Sequence, residues 1–173
     1  YIVNKENLGK GAALCKGLDF AFNKDYTHGI TMDADLQHSS ECIQCFLSVD
    51  ANVSLVYGRR SFNHLMPFHR KISNILSSKI ISILTGHKIL DSQCGFRRYR
   101  LLDYGSFKYI EKGFQFESEI LMRFLRKKLS VKHVNIPTIY GDEESNIDKL
   151  VDSFKFIRFI VHFICHNKKQ IKK

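Results

Sequence analysis

The chain has 173 residues, 44% hydrophobic and 25% charged, with only two prolines. That balance gives one folded domain, with room for an appendage, and excludes a low-complexity chain; five cysteines in no framework spacing exclude a disulfide scaffold. A net charge of +10 and a pI near 9.4 call for an anionic partner, whether nucleic acid, a membrane surface or a phosphorylated substrate.

Taken in chain order, YIV at residues 1–3 reads as a strand end, and NKENLGKG as a loop. Ala12, Ala13, Leu14, Leu18, Ala21 and Phe22 recur with helical spacing, so residues 11–23 are expected to be a helix with one buried face. HGITM (28–32) is a short buried strand that delivers the acidic turn DADLQH, and Ser39 and Ser40 can cap a helix over about 40–48. VSLVYG (53–58) is a further strand ending in GRR. Pro67 opens a long helix to residue 85, and LDSQCGFRRYR (90–100) reads as extended. Helices over 101–110 and 116–128 and a strand over 131–140 follow. Strands alternating with helices predict an α/β layered domain with a mostly parallel sheet, in which ligands gather at the carboxyl ends of strands.

Asp33, Asp35, Arg59 and Arg60 all fall at such ends. Two aspartates one residue apart repel each other unless they are solvated or hold a cation. Asp33, Asp35 and the amide of Gln37 supply oxygen donors suited to Mg²⁺ or Mn²⁺, ions that complete their shells with water and substrate phosphates. NLGKGAAL (7–14) is a glycine loop running into a helix, either an anion site or a plain turn, and it lacks the Walker pattern. GRR (58–60), HRK (69–71) and FRR (96–98) are basic clusters that suit phosphate or sit in solvent. Asp91 and Glu117 read either as acids that orient a substrate or accept a proton, or as ordinary surface or capping carboxylates. Cys42 and Cys45 form a C-x-x-C with no second pair to complete a zinc site, and so read as two reduced thiols on a helix. With no signal peptide at the start, a cytosolic setting is expected.

The character changes after residue 147. Lys155, Arg158 and His162 form one polar stripe, and nearly everything else from 150 to 164 is apolar, without approaching the about 18 apolar residues of a spanning helix. With the tail NKKQIKK, this segment reads as an interfacial helix or as one packed on its own domain. The expected division is therefore 1–147 and 148–173.

In order, NLGKGAAL, TMDADLQH, YGRRSF, MPFHRKISN, LTGHKILDSQCGFRRYR, FQFESEIL and IPTIYGDEESNI resemble family 2 glycosyltransferases, specifically the dolichyl-phosphate mannose synthase-like (polyprenyl-phosphate glycosyltransferase) branch. The resemblance runs from residue 4 to about 158. It implies a GT-A fold, a nucleotide-diphosphate sugar donor, a divalent metal (Mg²⁺ or Mn²⁺) and inversion at the anomeric carbon. By that family's pattern Asp33, Asp35 and Gln37 hold the metal, Asn7 and Lys10 lie near the donor, and Arg60, Arg70, Ser73 and Asn74 face the acceptor with Arg97 in the same cleft. The implied acceptor is a polyprenyl phosphate at the cytoplasmic face of a membrane, which needs no strong base. Were it a hydroxyl of a glycan or protein, Glu117 or Asp91 would be the base.

That family usually begins with a strand, a Pro-x-Tyr-Asn-Glu type loop and a second strand. This chain starts after them, so the donor site is expected to be N-terminally incomplete. A degenerate, non-catalytic membrane-binding transferase is the reading from another class. Nucleic acid is not expected, because the basic clusters sit beside an acidic pair that repels a polynucleotide.

Overall fold

The computed structural model describes residues 2–61, 68–109, 111–137, 139 and 149–170, with side chains over 2–61, 71–109, 111–137, 139 and 154–165. It divides into two units, Tyr1–Asp142 and Glu143–Lys173. The first contains α1 (Lys10–Asn23), β1 (His28–Thr31), a 3-10 turn (Ser40–Cys42) leading into α2 (Ile43–Leu47), and β2 (Leu55–Arg60). It continues with α3 (Phe68–Thr85), β3 (Arg97–Arg100), α4 (Leu101–Tyr104), α5 (Phe116–Arg126) and β4 (Val131–Ile136). The second contains α6 (Lys149–Gln170).

The four strands are ordered β1-β3-β2-β4. β2 pairs with β4 in parallel, whereas β3 runs antiparallel to both β1 and β2. The α/β expectation holds, and the sheet is mixed: β1, β2 and β4 share one direction, with β3 inserted against them. β3 follows α3 and enters the sheet between β1 and β2, against the direction of both.

β3 also fixes the layers, because adjacent strand residues point to opposite faces. Tyr57 lies opposite Arg97 and Leu55 opposite Tyr99 on one face; Val56 lies opposite Arg98 on the other. On the Val56 side, the core gathers Cys42, Phe46, Val53, Cys94, Phe96 and Ile136, with the Phe46 and Phe96 rings stacked 4.3 Å apart. Each such ring contributes about 1.5–3 kcal/mol on burial. Burial also pushes the Cys94 thiol up to about 12, so it stays protonated as a small core residue. All five cysteines are free thiols, with Cys42 buried at the end of the 3-10 turn and Cys45 exposed on α2.

The expectation that Arg97 lines a ligand cleft is corrected here. Arg97 is fully buried, and its guanidinium donates to the carbonyls of Cys94 (2.7 Å), Ser92 (2.7 Å) and Glu117 (2.6 Å). A planar fork suits three diverging carbonyls, and at 0% exposure the side chain does not reach a ligand cleft. Arg98 is likewise structural: it donates to the carbonyls of Phe46, Val49 and Asp50, satisfying the open end of α2. The FRR cluster is therefore a pair of internal ties.

Arg97→Met keeps most of the stem volume and strips three buried carbonyls of their donor. The unfolding free energy is expected to fall by about 3 kcal/mol or more, read from the urea midpoint. An unchanged midpoint would return Arg97 to the cleft.

Candidate active site

Lys10 is the centre of the site. It is the first residue of α1, and its ammonium lies 2.7 Å from Asp33 Oδ1 and 2.6 Å from Glu117 Oε1. Three separate elements meet there: the glycine loop, the turn after β1 and the start of α5. Burial works against the Lys10 charge, but Glu117 and Asp33 outweigh it and hold its pKa above the ordinary lysine value. The same ammonium lies 5.7 Å from the centre of the Phe114 ring.

Glycines make this meeting possible. A Cβ at Gly9 would lie 2.7 Å from the Lys112 carbonyl, and one at Gly11 would lie 2.7 Å from Phe116 Cβ. Gly9 also has φ +91, a conformation most residues avoid. The loop glycines therefore let the start of α1 press against residues 112–116, which sets Lys10 beside Glu117. The helix start is partly used in that contact, since the Ala12 N–H donates to the Lys112 carbonyl. Asn7 shapes the loop by accepting from the Gly9 N–H at 3.0 Å.

A further glycine seats the first aspartate. A Cβ at Gly95 would fall 2.5 and 2.6 Å from the two carboxylate oxygens of Asp33. Thr31 fastens this loop by donating to the Gly95 carbonyl at 2.8 Å. Asp33, Asp35 and Gln37 are half-buried while Met32, Ala34 and Leu36 between them are exposed, so the turn keeps a strand-like alternation. Leu36 has φ 56 and is 78% exposed, a conformation uncommon for a branched residue and typical of functional turns. Asp35 Oδ1 accepts from the Gln37 N–H at 3.2 Å.

Among the described residues no three His, Cys, Asp or Glu side chains form a complete metal cage. The donor set still fits Mg²⁺ or Mn²⁺, which bind through one or two carboxylates plus phosphates and water. A cationic group already sits against Asp33, so the place attracts positive charge.

Asp91 is fully buried, and Arg60 grips it with Nε at 2.8 Å and Nη2 at 3.0 Å, while Asn74 donates at 3.0 Å. This corrects the expectation of Asp91 as a base: both oxygens are committed and no solvent reaches them. It also places the Arg60 fork and the Asn74 amide on Asp91 rather than on an acceptor. Arg59, at the same strand end, is exposed, as is Ser73 on α3. The Arg70 side chain lies outside the described residues. Sequence reasoning missed the seat at Gly95; its signal was a lone glycine directly before the buried Phe-Arg-Arg strand.

Against this geometry the comparisons are plain. The model of the Glycosyl transferase family 2 matches residues 1–110, and the chain belongs to that family. It is 32% identical over 149 residues to the UDP-N-acetylglucosamine–dolichyl-phosphate N-acetylglucosaminyltransferase of Methanococcus voltae, covering 82% of this chain and 59% of that protein. Similarity to the polyprenol monophosphomannose synthase of Mycolicibacterium smegmatis is 28% over 153 residues, covering 84% and 57%. These relatives carry the names of the lipid-phosphate branch that the motifs resemble. The chain thus spans somewhat over half the length of the curated relatives it matches.

Glucosyl-3-phosphoglycerate synthase from Mycobacterium tuberculosis, solved with uridine-diphosphate, superimposes with a TM-score of 0.62 at 16% identity, over 86% of this chain and 51% of that one. The same enzyme solved with Mn²⁺, uridine-diphosphate and glucosyl-3-phosphoglycerate gives 0.59 at 15% identity, over 92% and 54%. The fold is GT-A.

Gly95→Ala puts a methyl group where the Asp33 carboxylate now sits. The fold is expected to lose only about 1–3 kcal/mol, because a short side chain can move aside. Binding of Mn²⁺ with a nucleotide-sugar, followed by calorimetry, is expected to be lost.

Proposed function

We propose that this chain is the catalytic part of a metal-dependent, inverting glycosyltransferase that moves a sugar from a nucleotide-diphosphate donor to a polyprenyl phosphate. The observation that carries it is the cluster of Lys10, Asp33 and Glu117 beside Asp35 and Gln37 at the carboxyl end of β1. The names of the relatives from Methanococcus voltae and Mycolicibacterium smegmatis support the lipid-phosphate acceptor.

Asp33, Asp35 and Gln37 would hold Mg²⁺ or Mn²⁺, which when bound stabilises the departing diphosphate. Lys10 adds a positive charge on the donor side, and Asn7 keeps its loop in shape. The pair of Arg60 and Asp91 fixes the end of β2; Arg59 there and Ser73 on α3, both exposed, would serve the acceptor, together with Arg70 as the family resemblance implies. A phosphate acceptor is already anionic, so Glu117 is not needed as a base; ion-paired and 3% exposed, it serves to hold Lys10. A hydroxyl acceptor would instead require Glu117 to be freed.

The lipid reading has its own support in α3, whose exposed side is largely apolar. Its inward side carries Asn74, Ser77 and Ser78, each at most 6% exposed, together with the fully buried Ile81, and holds the Asp91-Ser92 loop through hydroxyl and amide bonds. Its outward side carries Ile72 (48%), Ile75 (47%), Leu76 (56%) and Ile83 (72% exposed), with Lys79 among them. Such a face suits the boundary of an anionic bilayer. On α6, Phe154, Ile157 and Val161 are exposed at helical spacing beside Lys155, Arg158 and His162, the same combination in the second unit. No helix among the described residues is long and apolar enough to cross a membrane. The exposed apolar and basic faces of α3 and α6 are what support peripheral attachment at the cytoplasmic face as the proposed location.

In the full-length protein, Mn²⁺ together with one nucleotide-sugar is expected to raise the melting temperature by several degrees, and Asp35→Ala to abolish the rise. No stabilisation by any donor would remove the catalytic reading and leave the membrane-binding one. Separately, Ile75→Glu with Leu76→Glu is expected to weaken binding to phosphatidylglycerol vesicles about ten-fold or more, read by flotation, with the melting temperature unchanged.

A further inference from the structure

Lys10 does more than line the donor side. Its ammonium is in contact with Asp33 at 2.7 Å and with Glu117 at 2.6 Å, so one positive charge stands between two carboxylates. The lysine side chain is 23% exposed, that of Asp33 28% and that of Glu117 4%. Two of the three groups are therefore open to an incoming ligand, and the third is an interior anchor. The oxygen of Asp33 that Lys10 holds belongs to the carboxylate that a metal would use.

A divalent ion and an ammonium on the same carboxylate repel. At about 4 Å even a surface-like dielectric gives roughly 4 kcal/mol per pair of unit charges. Both cannot keep Asp33. Lys10 has a flexible four-carbon stem, a second acid to retain, and the Phe114 ring 5.7 Å from its charge. Asp33 has less freedom, because its carboxylate packs directly against Gly95.

We propose that Lys10 is a built-in competitor for the metal: in the empty site its ammonium occupies the cation position on Asp33, and metal loading requires Lys10 to release Asp33 while keeping Glu117. The inference rests on the metal assignment made above and adds to it a regulator of metal affinity. Metal alone then binds weakly, because it must displace a resident charge. A donor diphosphate offers the displaced ammonium a new partner, so donor and metal bind cooperatively, by the same factor in each direction. A site of this kind stays free of loosely held metal until donor arrives.

The test measures Mn²⁺ alone, without donor, on the full-length protein, from the electron paramagnetic resonance signal of the free ion. Lys10→Met is expected to tighten Mn²⁺ binding about ten-fold, the factor equivalent to one pKa unit of differential interaction. Glu117→Gln, which leaves Lys10 with Asp33 as its one acidic partner, is expected to weaken it. Lys16→Met removes the same charge from α1, where Lys16 holds the Val3 carbonyl and Asn4, and is expected to change nothing. The Mn²⁺-induced rise in melting temperature is expected to be larger in Lys10→Met than in the wild type, because the variant's empty site lacks its counter-ion.

Wild-type binding that Asp35→Ala removes, with affinity in Lys10→Met unchanged or weaker, would overturn the competitor role and leave the metal site standing. Equal tightening by Lys16→Met would also overturn it, by showing a general field effect. Absence of Mn²⁺ binding in wild type and Lys10→Met alike would remove the metal assignment itself.

Discussion

The buried guanidinium of Arg97 is the tie on which the site depends. It joins the carbonyls of Ser92 and Cys94 to that of Glu117, fastening the loop before β3 to the first turn of α5. That loop carries Asp91 and Gly95, and α5 carries Glu117, so one side chain sets the spacing of the residues around the cleft. A buried charge without an acidic partner is costly, and only a full set of carbonyl acceptors makes it tolerable. The three bonds at 2.6–2.7 Å meet that condition.

The charge of the cleft runs against the charge of the chain. The chain carries 27 basic and 17 acidic side chains, yet around the turn after β1 the acids predominate. Two of the arginines nearest the site are withdrawn from it, Arg97 by carbonyls and Arg60 by the carboxylate of Asp91. Lys10 remains, and it is shared between two acids. The result is a cation-attracting point within a protein whose exterior favours anions, the combination that a metal-bridged diphosphate near an anionic surface requires.

α3 couples the two regions. Its polar side reaches into the fold, where Ser78 accepts from the Ser92 N–H at 2.9 Å and Asn74 holds Asp91. Its apolar side is turned outward. A helix selected only for burial would have the reverse arrangement. The inner face carries polar groups where it supports the Asp91-Ser92 loop, with Ile81 buried further along, which leaves Ile72, Ile75, Leu76 and Ile83 outside.

The periodic elements were legible in the sequence. The expected helix at 11–23 is observed at Lys10–Asn23, the strand at 28–32 as His28–Thr31, and the helix at 116–128 as Phe116–Arg126. Ser39 caps as expected, accepting from the Glu41 N–H. The motifs in order sufficed for the family, because DADLQH and DSQCGFR are contiguous strings whose chemistry is local. What the sequence could not decide was which charges remain available. Arg60, Arg97 and Asp91 look like free ligands in a string of letters, and each is consumed by partners between 3 and 31 positions away. The antiparallel insertion of β3 was hidden for the same reason, since strand direction depends on which neighbour the chain meets. Sequence alone determined the chemical groups and the local elements, because these follow from side-chain type and period. Tertiary structure alone decided that Lys10 meets Asp33 and Glu117, because contacts between residues 23 and 107 positions apart depend on close backbone approach at glycines, which no local pattern records.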